Sequence, residues 1–184
     1  MQATFHTMKS VILGYKKLHP EAFCPQYATE ESACFDLRLC LPAGHREVDV
    51  WTHGNVQSRV HAWLENSNQP AFLKLQPNDR ALLPTQLILD IPRDHSVRLH
   101  MRSGLALRGG LILANSEGII DSDYTQQLMV PVTNASGAVL ALRHGDRICQ
   151  GEIVEKISTI FVQVDDVLDR GTTRNGGFGS TGKA

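Results

Sequence analysis

The stretch 72–92, FLKLQPNDRALLPTQLILDIP, sets the scale of what this chain can build. It offers three short apolar runs, punctuated by Pro77-Asn78-Asp79, Pro84 and Pro92. Proline removes a backbone donor and fixes φ, so no run can extend through its neighbour as one long element. Short strands with turn chemistry between them predict an all-β barrel or sandwich.

The rest of the chain repeats that pattern. Residues 11–15 read as an opening strand, and 16–32 as a loop broken by Pro20, Pro25 and the TEES cluster. In ACFDLRLCL, alternation places Ala33, Phe35, Leu37, Leu39 and Leu41 on one face and Cys34, Asp36, Arg38 and Cys40 on the other. Further strands are expected over 97–101, 111–113, 129–134, 139–142, 148–154 and 157–164. At most one short helix fits, after Arg102 and ended by Gly109-Gly110. Between about 45 and 71 the chain turns polar and carries both tryptophans, Trp51 and Trp63. That segment reads as an inserted hairpin about Gly54-Asn55.

With 184 residues, 42% of them hydrophobic, the chain suffices for one domain with a sizeable core. We expect a single β domain over 1–168, with 45–71 as an excursion on it, and a flexible tail over 169–184 that holds five glycines in 16 residues. A formal net charge of -1 supplies no global basic field for nucleic acid or an anionic membrane. An anionic ligand must therefore be held by local groups. Cys24, Cys34, Cys40 and Cys149 lack zinc-type spacing and read as reduced thiols of a cytoplasmic protein. No run is long enough to span a bilayer. Asn134-Ala135-Ser136 fits a glycosylation sequon but reads more simply as a turn.

Five clusters could carry chemistry. In 117–128, EGIIDSDYTQQL, two carboxylates flank Ser122 and Tyr124 follows at once, beside apolar Ile119-Ile120. This is either an active-site hairpin or a strand end with an acidic turn. Arg102-Ser103-Gly104 offers a guanidinium, a hydroxyl and backbone N–H groups to an anion, or is a capped turn with a surface arginine. Gln150 sits as a polar residue among apolar neighbours in GDRICQ. Asp36 is the notable residue of its polar face. GGFGSTG, near the C-terminus, has glycines for close approach to phosphate, hydroxyls and a ring for stacking, or is a linker.

Together and in this order, SACFDL (32–37), RSGLA (102–106), GIIDSDY (118–124), GDRICQ (145–150) and RNGGFGSTG (174–182) resemble the five motifs of the trimeric dUTP diphosphatase (dUTPase) family. The resemblance implies a distorted jelly-roll-like barrel of short strands, assembled as a homotrimer whose active sites are shared between subunits. It implies hydrolysis of dUTP to dUMP and pyrophosphate, with water attacking the α-phosphorus and Mg2+ carried by the triphosphate. On that mapping Asp121 is the catalytic base and Asp123 is structural. Tyr124 packs under the deoxyribose and excludes a 2'-hydroxyl. Asn115, Gly118, Ile119 and Ile120 belong to the uracil-reading hairpin, with Met129 beside it. Arg102, Ser103, Gly104 and Gln150 hold the phosphates. Asp36 meets the metal through water. In the tail, Phe178 stacks on uracil, Arg174 reaches the outer phosphates, and Gly179, Ser180 and Thr181 wrap the γ-phosphate.

The chain departs from the family pattern at three places. Cys34 stands where glycine is usual, Gly151 follows Gln150 where an apolar residue is usual, and Arg170 competes with Arg174 for the fifth-motif role. Two other functions stay open on sequence: a dCTP deaminase-type enzyme on the same fold, and a regulatory module whose insert binds a protein partner.

Overall fold

The computed structural model describes residues 10–63, 70–168 and 171. Its strands, in chain order, are β1 (Gly14–Lys17), β2 (Gln26–Tyr27), β3 (Phe35–Arg38), β4 (Glu47–Trp51), β5 (Gln57–His61), β6 (Phe72–Leu75), β7 (Arg80–Pro84), β8 (Leu87–Asp90) and β9 (His95–Met101). After one helical turn (Leu105–Gly109) follow β10 (Leu111–Leu113), β11 (Gly118–Ile120), β12 (Met129–Asn134), β13 (Leu140–Arg143) and β14 (Arg147–Glu155). The fold is all-β, as the punctuation of 72–92 predicts, and the three strands expected there are β6, β7 and β8.

Two five-stranded antiparallel sheets face one another. Their orders are β10-β12-β7-β4-β5 and β11-β9-β14-β3-β2, and the pairs β1-β8 and β13-β6 border them. Aliphatic side chains of both inner faces fill the space between, among them Leu37, Leu83, Leu99, Val130 and Ile148, with Leu73 of β6, all essentially inaccessible. Each such side chain contributes roughly 1.5–3 kcal/mol over an exposed one.

The 45–71 segment forms the β4-β5 hairpin, with Asn55 at a left-handed φ of 60° in its turn. β4 pairs with β7 and buries Val48 and Val50 in the core, while β5 is the outer edge of its sheet. The excursion thus has one strand built into the barrel.

Three expectations need correction. The opening strand runs over Gly14–Lys17, two to three residues later than read. Cys40 is fully buried rather than on the polar face, because β3 ends at Arg38 and the two-residue period no longer governs Leu39, Cys40 and Leu41. No strand forms over 157–164. Ile160, Phe161 and Val162 are 87%, 93% and 73% exposed, with no neighbouring strand to pair with among the described residues. β propensity alone does not make a strand when no ladder partner is at hand.

Asn134 ends β12 where the chain turns, and it is a buried strut. Its amide nitrogen donates to the carbonyls of Leu75 (3.0 Å) and Ala138 (2.7 Å), and its oxygen accepts from the Ser136 amide and hydroxyl.

Candidate active site

Three of the sequence clusters converge at one end of the β9-β14-β3 sheet. Register places Gln150 between Asp36 on β3 and His100 on β9, and Arg102 follows directly after β9. The alternation that puts Leu37 into the core turns Asp36 outward, yet its side chain is only 7% exposed because arginines cover it. Arg102 Nε lies 3.2 Å from Asp36 Oδ1, and Arg147 Nη1 donates to Oδ2 at 2.9 Å. Gln150 Nε2 reaches Oδ1 at 3.4 Å. A buried carboxylate is tolerated only when charge and hydrogen bonds compensate it, and here they do. Asp36 is thus part of a cationic cluster rather than a solvated strand residue.

Beyond Arg102 the chain closes one helical turn, with the amides of Leu105 and Ala106 both donating to the Arg102 carbonyl at 3.0 Å. Ser103 and Gly104 stand ahead of that turn. A Cβ on Gly104 would come 2.7 Å from the Arg108 guanidinium, so glycine keeps the arginine close to the loop. Gly110, in the left-handed region at φ 70°, ends the turn as Gly109-Gly110 predicts.

Asp121 lies elsewhere. β11 pairs with β9 so that Ile120 sits opposite Val97, which brings Asp121 beside Ser96 at the far end of β9 from Arg102. Six strand residues at roughly 3.3 Å each separate the two ends by about 20 Å. At the Asp121 end opens a groove of 870 Å³, whose lining includes Arg93, Arg98 and Lys156 as well as Asp121, Asp123 and Glu155. The side chains predicted to activate water and to hold phosphate are therefore well apart within one chain.

The stretch around Asp121 is not a simple two-stranded hairpin. β10 and β12 pair with each other in one sheet, and the connection between them swings out to lay β11 on β9 of the other. Ser116, at φ 65°, makes the bend, with the Glu117 amide donating to the Asn115 carbonyl at 2.7 Å. Gly118 is needed where β11 crosses β9, since a Cβ would stand 2.9 Å from Leu99. Ile119 points outward and Ile120 packs against the core. The Tyr124 amide donates to the Asp121 carbonyl and its hydroxyl to the Gln127 carbonyl, both within the same loop. Its ring stays 39% exposed. Met129 opens β12 opposite Pro84.

Arg170, Arg174, Phe178, Gly179, Ser180 and Thr181 lie outside the described residues. Sequence reasoning missed Arg147. Its signal is the pair Ile148-Cys149, two apolar residues in succession, both fully buried.

Two further points concern metals and thiols. Among the described residues no group of three His, Cys, Asp or Glu side chains could hold a metal ion. All four cysteines are free; burial pushes the Cys149 thiol up to about 12 and that of Cys40 up to about 11, so both stay protonated and inert.

The fold is thus all-β, with a carboxylate-arginine cluster at one sheet end. The dUTPase family model matches residues 68–182. A deoxyuridine 5'-triphosphate nucleotidohydrolase of Dinoroseobacter shibae is 36% identical over 159 residues, 86% of this chain and 87% of the relative. That of Wolinella succinogenes is 30% identical over 177 residues, 96% and 98% of the two chains. The chain belongs to the dUTPase family. Among solved structures, a mutant dUTPase of Staphylococcus bacteriophage 80alpha with dUpNHpp superposes at a TM-score of 0.70, with 18% identity, 94% of this chain and 99% of that one. A mutant dUTPase of phage phi11 of S. aureus, solved to show coordination of a structural Mg(II) ion, superposes at 0.62 with 17% identity, 85% and 98%. These two likenesses concern the fold.

Proposed function

We propose that this protein hydrolyses dUTP to dUMP and pyrophosphate. The observation that carries the reading is the Asp36-Arg102-Gln150 cluster, formed by three family motifs brought to one sheet end in a chain whose full-length relatives are dUTP nucleotidohydrolases. Phosphoryl transfer asks a protein mainly for positioning and charge stabilisation. Arg102, with Ser103 and Gly104, holds the phosphate oxygens and the leaving pyrophosphate, and Gln150 meets the α-phosphate region.

Asp121 orients the attacking water and takes its proton, and Asp123 supports the loop. Tyr124 carries the deoxyribose on its exposed ring. The 115–120 bend, with Asn115, Gly118, Ile119 and Ile120 and with Met129 adjacent, reads uracil and excludes the thymine methyl. Arg174, Phe178, Gly179, Ser180 and Thr181 complete the site on the strength of the fifth motif, which the family match includes.

A single chain keeps Asp121 about 20 Å from Arg102, as the strand spacing requires. That separation supports a composite site, with Asp121 from one subunit and the arginine cluster from another; that the assembly is a homotrimer rests on the resemblance to the family. The exposed apolar side chains within 157–168, Phe161 and Ile160 foremost, offer surface for such an assembly. We keep one β domain to residue 168, then a tail that on this reading serves a neighbour's site.

The described residues form no all-protein metal cage, so Mg2+ would arrive on the triphosphate, and Asp36 would meet it through water alone. When bound, the ion would offset negative charge on the phosphate oxygens. No helix among the described residues is long and apolar enough to cross a membrane, and a cytoplasmic place of action is part of this reading.

The test pairs pyrophosphate release from dUTP, UTP, dTTP and dCTP with a mass measurement of the assembly. Release from dUTP alone, by a particle of three chains, is expected. Ammonia from dCTP, or full activity in a monomer, would overturn the reading.

A further inference from the structure

β14 keeps a two-residue period from Glu152 to Cys149, with Glu152 and Gln150 facing out and Gly151 and Cys149 facing in. At Ile148 the period breaks. Ile148 and Cys149 are both fully buried, and the register against β3 slips between Arg147 and Cys149. This is a β-bulge, and bulges re-aim side chains. Unbulged, the strand would put Arg147 on the same side as Cys149, a guanidinium in the core. Bulged, it lays Arg147 on the face that carries Gln150 and Asp36.

The guanidinium is used there. Arg147 Nη1 holds Asp36 Oδ2 at 2.9 Å while Arg102 Nε sits 3.2 Å from Oδ1, so each oxygen has its own arginine. Arg102 Nη1 in turn donates to the Arg147 carbonyl at 3.4 Å. One guanidinium would neutralise the carboxylate; two, on opposite oxygens, also fix its plane.

We propose that Arg147 is a positioning residue for the hydrolysis: it pins Asp36, and Asp36 thereby holds Arg102 in the orientation that presents its terminal nitrogens to phosphate. The proposal rests on the dUTP reading above. Arg147 itself stays off the substrate.

The experiment compares the full-length wild type with Arg147→Gln, Arg147→Lys, Asp36→Asn and the Arg147→Gln/Asp36→Asn pair. It measures kcat on dUTP and, separately, the calorimetric Kd of dUpNHpp, with circular dichroism and mass to check fold and assembly. Arg147→Gln is expected to lower kcat about tenfold and to change Kd by less than about threefold, because a positioning contact is felt mainly in the transition state. Added to Asp36→Asn it should cost less than about twofold more, since the two residues act as a unit. Arg147→Lys, which keeps a cation for Oδ2, should recover part of kcat, and it carries the comparison if the glutamine variant does not fold.

A Kd weakened as much as kcat would make Arg147 a phosphate contact and overturn the proposal. So would losses that multiply in the double variant. Wild-type protein that leaves dUTP intact would overturn the function itself, a result distinct from either.

Discussion

Gly151 lies directly under the ring of Phe35: a Cβ built on it would stand 2.4 Å from both Cε2 and Cζ. The two residues are register partners on β14 and β3, so the ring fills the volume that an apolar residue after Gln150 would otherwise take. Gly151→Ala should therefore destabilise the fold by roughly 1–3 kcal/mol, the usual cost of overpacking, as read from urea denaturation. Because the strain falls one residue from Gln150, turnover should drop as well. A neutral substitution would mean the ring can swing away.

Asp121→Asn removes the proposed base and leaves its loop intact, since that loop is held through the Asp121 carbonyl and the Tyr124 amide. Turnover of dUTP should fall by about 10²–10⁴. Affinity for dUpNHpp, measured by calorimetry, should stay within a few-fold of wild type.

The distance between Asp121 and Arg102 makes a complementation test possible. Asp121→Asn and Arg102→Gln should each be inactive alone. Subunits of the two, unfolded together and reassembled, should regain a fraction of wild-type activity, because some sites then draw both intact residues from different chains. Continued silence of the mixture, with trimers present by mass, would show that one chain supplies both groups.

His144 predicts a pH dependence of stability. Its Nδ1 accepts the Leu41 amide at 2.9 Å, and burial lowers its pKa below the ordinary 6.5, while Glu21 partly opposes the shift. The folded state thus holds fewer protons than the unfolded one just below pH 6.5. This contribution is fully present above that value and is lost as pH falls through the lowered folded pKa. Unfolding midpoints should fall from pH 7.5 to pH 5.5, and His144→Asn, which keeps an acceptor for Leu41, should flatten part of that slope.

Asn134→Ala should cost about 2–3 kcal/mol in chemical denaturation, because it leaves the Leu75 and Ala138 carbonyls and the Ser136 donors without their buried partner. Expression in a glycosylating host should leave the sequon unmodified.

The elements that a sequence shows best are those whose local pattern agrees with their surroundings. β6, β7 and β8 are of this kind, bounded by turn residues, and so is the helical turn closed by Gly109-Gly110. The 157–164 segment has strand composition but no ladder partner among the described residues, which no local pattern records. Asp36 looked solvated because alternation gives a side chain's face but not what lies over it; its cover comes from Arg102 and Arg147, more than sixty residues away in sequence. Arg147 was hidden by a bulge that changes parity, although the doubled Ile148-Cys149 marks the spot. The motifs identified the Asp121 stretch, but its transfer from one sheet to the other depends on pairing that only the fold supplies.

β9 acts as a spacer, and the spacing has a kinetic meaning. On the proposed reading, a chain that keeps its water-activating acid at one end of that strand and its phosphate cluster at the other would be chemically silent when newly made. Activity would then appear only on encounter with other copies, so at low concentration the rate should climb more steeply than in proportion to the protein present. Dilution would switch the enzyme off without unfolding any part of it.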